Sequence, residues 1–181
     1  MSEQLMVLHG APTLAGIKTG SLFTSSYENK NKFMQTLRNW NQIFRKKGLC
    51  ILPLRFHQNR ALLYLYRQSL LENDFKNQQI LEILKDNGYQ CLSCQHCIAQ
   101  LAKRLQANLD FPHEIGLFLG YPVEDVRGFI EQKECKYIGR WKVYDNVEES
   151  KKQFERFDQC TNTYLKHLNN GCPIELLLKK K

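Results

Sequence analysis

The residues best suited to chemistry lie between Phe111 and Ile130, in the stretch FPHEIGLFLGYPVEDVRGFI. His113 stands beside Glu114, and Glu124 beside Asp125. A histidine near carboxylates suits proton transfer close to neutral pH, or metal ligation. Pro112 and Pro122 each suit the first position of a helix, where the missing N–H costs nothing. A helix start presents unpaired N–H groups and partial positive charge, so two such starts close together suit an anionic group. The plainer account is that the acids complement the helix dipoles and His113 is an ordinary surface or core residue.

The same stretch fits a helix-turn-helix template. Ile115, Gly116, Leu119, Gly120, Val126 and Phe129 supply the apolar positions, the small residue and the turn glycine. Its chemistry argues against DNA. The second helix would present Glu124 and Asp125 where phosphate-rich DNA needs donors, and Arg127 alone does not offset them. A packed helix pair or a ligand pocket fits the residues better.

Three other constellations have spacings that could carry chemistry. Cys91, Cys94 and Cys97 form C-x-x-C-x-x-C around His96, a spacing that suits zinc or an iron–sulfur cluster but lacks a fourth sulfur. They equally suit packing as small core thiols. The run RALLYLYR (60–67) mixes basic and aromatic residues, as a nucleic-acid stacking strand would. On a strand, however, Tyr64 and Tyr66 share one face while Arg67 shares the other with Leu63 and Leu65, which favours an ordinary amphipathic sheet. Finally, GIKTG (16–20) is too short for a phosphate loop, and no nucleophile elbow or dinucleotide fingerprint is present.

Charge is concentrated. Residues 28–67 hold nine Lys or Arg against one acid, Glu28, and so account for the entire formal charge of +8. Such a segment can attract nucleic acid, a phosphorylated ligand or an acidic partner, or be a solvated helix face beside a strand pair. The start MSEQLMVLHGAP has neither a basic segment nor a long apolar one, so a cytoplasmic protein without a signal peptide is expected. Seven cysteines, an odd number, then imply reduced thiols. No apolar run approaches the roughly 18 residues of a membrane span.

The elements that must position these residues follow from periodicity. Residues 1–26, with Pro12, Gly16 and Gly20, read as an ordered loop or short helix. Phe33, Leu37, Trp40 and Phe44 predict a helix over 29–47, stopped by Gly48. LCILPLRF (49–56) and RALLYLYR (60–67) predict a hairpin, with Pro53 confining the first strand to an edge. Helices are predicted over 69–87, 94–107, 112–119, 122–132 and 147–169. A third strand is expected at 137–145, and a short helix after Pro173 that ends in three lysines. The whole reads as one α+β domain over 1–181: a small, mainly antiparallel sheet (hairpin about 49–67 plus strand about 137–145) covered by helices.

Four motifs together carry a resemblance: APTLAGIKTGSLF (11–23), LLYLYR (62–67), FPHEIGLFLGYPVEDVRGFI (111–130) and GRWKVY (139–144). The chain resembles, over nearly its whole length, an uncharacterised domain-of-unknown-function family of small bacterial proteins, largely from anaerobic Firmicutes. The resemblance implies a single-domain cytosolic protein and supplies no activity. In that family the first motif usually carries His-Cys; here it is His9-Gly10, which weakens a cysteine-nucleophile reading. By motif match it marks His9, Pro12, Lys18, Tyr66, Arg67, His113, Glu114, Gly120, Tyr121, Asp125, Trp141 and Lys142 as special.

The functional expectation is a small-molecule site, for a ligand bearing an anionic group, with an enzymatic role open. His113 with Glu114 or Asp125 would transfer protons, and His9, Lys18, Tyr66, Arg67, Tyr121 and Lys142 would hold the ligand. The alternatives are a nucleic-acid-binding module using 28–67 and a metal or redox protein using Cys91, Cys94 and Cys97. No membrane partner is expected, and no cofactor is named by the sequence.

Overall fold

A computed structural model describes residues 2–107 and 111–178. The chain divides into two compact units, Met1–Leu70 with Gln159–Lys181, and Leu71–Asp158. Both mix helices with antiparallel strands, so the fold class is α+β. No helix among the described residues is long and apolar enough to cross a membrane. The three terminal lysines lie outside the described residues.

The first unit opens with helix α1 (Glu3–Leu14), whose start is capped by the Ser2 side chain accepting from Leu5 N at 3.2 Å. Its last five residues, from Gly10 to Leu14, are all buried, including Pro12. This helix is longer than the loop or short helix expected, because it is apolar on several sides and shows no amphipathic stripe. Strand β1 (Gly20–Ser26) follows, then helix α2 (Lys30–Phe44), extended by a tight turn over Arg45–Lys47 and stopped at Gly48 with φ 72°. Strands β2 (Leu49–His57) and β3 (Arg60–Arg67) form the expected hairpin. Its two-residue turn has Gln58 and Asn59 at φ 43° and 59°, the doubly left-handed form that matches strand twist.

The sheet order is β1-β3-β2, antiparallel throughout. The third strand is therefore β1, not the segment near 137–145. β1 reads GSLFTSS, and its buried Ser21 and Ser25 hide it from a hydrophobicity pattern. Ser21 instead hydrogen-bonds Thr13 of α1, Oγ to Oγ1, at 2.9 Å. Pro53 sits on the edge strand as expected, next to a register shift between Pro53 and Arg55. That edge is partly closed by Asn41 of α2, which donates to Ile51 O at 2.8 Å and accepts from Ile51 N at 2.9 Å. Leu63 and Leu65 of β3 are fully buried among Met6, Leu14, Phe33 and Phe44. Each such side chain contributes about 1.5–3 kcal/mol on burial.

In the second unit the expected helix 69–87 is two helices, α3 (Gln68–Asp74) and α4 (Gln78–Asp86). Asn77 breaks them, its side chain capping α4 through Gln79 N at 2.9 Å. Helix α5 (Cys94–Ala107) buries Cys97, Ile98, Leu101 and Leu105. Then come α6 (Ile115–Phe118) and α7 (Val123–Ile130), separated by Gly120 at φ 72°. Strands β4 (Tyr137–Ile138) and β5 (Lys142–Val143) form a separate two-stranded hairpin. Helix α8 (Val147–Asn169) begins here; its last eleven residues belong to the first unit, as does α9 (Ile174–Leu177).

Candidate functional site

The second unit contains a cavity of about 230 Å³ walled by α6, α7, the loop between them and the β4–β5 hairpin. Its corner is built by close approach. Gly116 lies so near α7 that an added methyl group would stand 2.7 Å from Val126 Cγ2 and 3.0 Å from Tyr121 Cδ2. Helix α7 turns Asp125, Val126 and Phe129 to the cavity. Asp125 is thus spent inside the protein, while Glu124 stays exposed. The expected helix at 112–119 is only four residues long and begins three residues after Pro112, so the expected N–H site at Pro112 does not form. Pro122 caps α7 and is not its first residue.

Asp125 is 3% exposed, yet fully engaged. Its Oδ2 accepts from Trp141 Nε1 at 2.8 Å, and its Oδ1 accepts from Tyr144 N at 2.7 Å and Asp145 N at 3.2 Å. One carboxylate from α7 thereby pins the hairpin and fixes the indole. Tyr121 stacks on Trp141 with centroids 4.5 Å apart and planes 25° apart, and Phe154 meets the indole edge-on at 4.4 Å. Burial pushes the Tyr121 hydroxyl above its usual range, against the opposing pull of Arg140. Phe129 meets His113 edge-on at 4.7 Å, and Lys142 Nζ lies 5.2 Å from the Phe129 ring centre. Arg140, also on the wall, is paired with Asp158. Among the described residues, the side chains of His113 and Lys142 have no hydrogen-bond or ion-pair partner.

Four residues expected from sequence, His113, Tyr121, Asp125 and Lys142, line this one cavity. Glu114 does not. It is buried elsewhere in the unit, accepting from the Tyr89 hydroxyl at 2.9 Å and pairing with Arg104 Nε at 3.0 Å. Burial first, then the Glu114 charge, pushes the Tyr89 hydroxyl far above its ordinary value. Phe129, Arg140 and Trp141 complete the wall without having been assigned a role. The motif GRWKVY held the signal for Arg140 and Trp141; Phe129 read only as a core position.

The remaining expected residues belong to the first unit. His9 stacks on Phe23 at 5.6 Å. Lys18 donates to Gly20 O. Tyr66 stacks on Tyr64 at 4.8 Å. Arg67 is 1% exposed and donates to three backbone oxygens, those of Thr13 at 2.8 Å, Lys47 at 3.1 Å and Leu14. Burial draws its pKa down, opposed by Tyr164. The other basic residues of 28–67 remain at least partly exposed, and a shallow cavity of about 530 Å³ lies beside Asn29, Lys32, Gln58, Asn59 and Arg60.

Cys97 is buried, and its thiol is pushed up to about 12, by burial first and by Cys91 second. Burial likewise raises Cys94. These shifts favour thiols over the thiolates that bind metal. Among the described residues no group of three or more His, Cys, Asp or Glu is placed to hold a metal ion, so the metal expectation at Cys91, Cys94 and Cys97 gains no support.

The chain belongs to the family described as protein of unknown function (DUF3793), which matches residues 6–178. No curated protein and no solved structure gives a match.

Proposed function

Within a family that carries no assigned activity, we propose that this chain binds a small organic anion in the cavity between α6, α7 and the β4–β5 hairpin. One observation carries the reading. A ring-walled cavity has at its wall a lysine, Lys142, with no carboxylate partner among the described residues. Apolar walls with a few placed polar groups are the common form of a ligand site. The ammonium supplies charge complementarity, and His113, which like Lys142 lies against Phe129, is a second group able to meet an anion. Asp125 acts here as the residue that positions Trp141. Its oxygens are taken by three N–H donors, and Glu114 is held by Tyr89 and Arg104, so the reading is of binding and not of proton transfer by a His–carboxylate pair.

The test compares naphthoate with naphthamide, which share size and shape but differ in charge. Ligand-observed NMR should show naphthoate bound and preferred, and Lys142→Gln should erase that preference. Binding of neither probe, or a preference unchanged in Lys142→Gln, would overturn the reading.

A second reading attaches to the first unit, where Lys32 and Arg60 flank the shallow cavity at the start of α2. There the chain would hold a polyanion such as RNA, through contacts that weaken steeply with salt. Titration with random RNA at low and moderate salt decides it, and no binding at low salt ends it.

A further inference from the structure

We infer that the body of the ligand is a flat aromatic system of one ring or a fused pair, set against Phe129 and Trp141 with its anionic group turned to Lys142. This rests on the small-anion reading above and narrows it to a chemical class.

The first argument is the wall itself. His113, Tyr121, Phe129 and Trp141 are four ring side chains on one small cavity. A pocket built to accept any apolar body needs no such choice, since leucine and isoleucine serve as well. Ring pairs have specific preferences. Their negative faces and positive edges favour offset-stacked or edge-to-face partners.

The second is preorganisation. The indole of Trp141 is fixed on three sides, by the Asp125 hydrogen bond at 2.8 Å, the Tyr121 face at 4.5 Å and the Phe154 edge at 4.4 Å. Phe129 is flanked by His113 at 4.7 Å. Rings already held in place lose little freedom when a ligand arrives, so more of the contact energy appears as affinity.

The third joins the ring to the charge. Lys142 Nζ lies 5.2 Å from the Phe129 ring centre. An anion paired with that ammonium therefore lies beside the phenyl ring, and a ring bonded directly to the anion falls within stacking reach. Size sets the upper limit. The cavity is about 230 Å³, under the roughly 300 Å³ at which sites for drug-sized ligands begin. A body of one ring or a fused pair suits that space.

The experiment uses the full chain and two carboxylates with one carbon skeleton, naphthoate and decahydronaphthoate, competed against each other by ligand-observed NMR. Naphthoate should bind tighter by about two- to tenfold, the range a ring-pair preference supplies. Its ring protons should move upfield on binding. Phe129→Leu keeps an apolar wall without a ring, and should bring the ratio toward one while the naphthoate-over-naphthamide preference persists. If decahydronaphthoate binds as well as naphthoate to the wild-type chain, the aromatic inference is overturned and the small-anion reading stands. If neither acid binds, both fall.

Discussion

Arg67 in the first unit and Asp125 in the second are both buried, both ionisable, and both tied to backbone groups of distant segments. They differ in what they leave beside them. Arg67 gathers the carbonyls of Thr13, Leu14 and Lys47, joining the end of α1 to the turn before β2 inside a closed core. Asp125 gathers the Trp141 indole and two hairpin N–H groups, and a cavity lies against the same carboxylate. A buried charge satisfied by backbone is therefore no sign of a site in itself. What distinguishes the second unit is that Asp125 holds rings in place around empty space, with a lysine at the wall that has no ion-pair partner among the described residues.

The comparison breaks most visibly at Arg67. Arg67→Met keeps much of the side-chain volume but removes the donors to three carbonyls, of which Thr13 O keeps the Gly16 N–H, and should cost about 3–5 kcal/mol at about 1.5–3 kcal/mol per hydrogen bond to a charged group. Urea unfolding measures it. A cost under about 1 kcal/mol would mean that the carbonyls find other partners and that Arg67 is no keystone of the first unit. Asp125→Ala comes next. Hydrogen bonds to a charged group contribute about 1.5–3 kcal/mol, and two backbone N–H groups and the indole would lose theirs. The expected loss is about 3 kcal/mol, with a red-shifted Trp141 emission read in a Trp40→Phe background. Asp125 should also move binding of naphthoate, whereas Arg67 should not at temperatures where both variants stay folded. Equal effects on binding would erase the distinction.

The legible parts of the fold were those with strong local rules. The period-3.6 stripe of Phe33, Leu37 and Phe44, the Pro53 edge strand and the glycine stops at 48, 88, 120 and 171 all follow from residue type alone. β1 was not legible, because its inward serines are satisfied by a partner such as Thr13, which only the tertiary fold supplies. The break between α3 and α4 turns on one capping asparagine inside an otherwise continuous helical pattern. For the cavity, four lining residues, His113, Tyr121, Asp125 and Lys142, are among those the sequence singles out. The sequence could not tell that Glu114, adjacent to His113, faces Tyr89 and Arg104. On so short a stretch a slight change in where the helix begins redirects the side chain.

A third way to sharpen the contrast is alkaline titration, since each unit holds an acid raised to about 12. Tyr164 in the first moves from 10.0 to about 12, chiefly by burial, and Cys97 in the second from 9.0 to about 12, also chiefly by burial. Both are neutral acids whose folded-state pKa exceeds the unfolded one. The folded form holds its proton longer, so the contribution is complete below the unfolded value and is lost as pH climbs toward the folded value. Stability should therefore begin to fall near pH 9 on account of Cys97 and Cys94, and further above pH 10 on account of Tyr164, Tyr89 and Tyr121. Cys97→Ala should delay the onset while leaving the later fall intact. An unchanged onset in that variant would show that Cys97 is not the group responsible.

The smallest expected effect on stability is the most telling for function. Lys142 is exposed and has no ion-pair partner among the described residues. Its contact with the Phe129 ring, at 5.2 Å, is partly solvated. Lys142→Gln should therefore shift the unfolding free energy by no more than about 0.5 kcal/mol, as surface substitutions do. Arg67 and Lys142 carry the same charge, so the pair forms a crossed test. Loss of the first should cost stability and spare the naphthoate-over-naphthamide preference; loss of the second should spare stability and remove that preference. If Lys142→Gln instead destabilised the chain as much as Asp125→Ala, Lys142 would belong to the hairpin's structure, and the cavity would lose the main feature that assigns it a charged ligand.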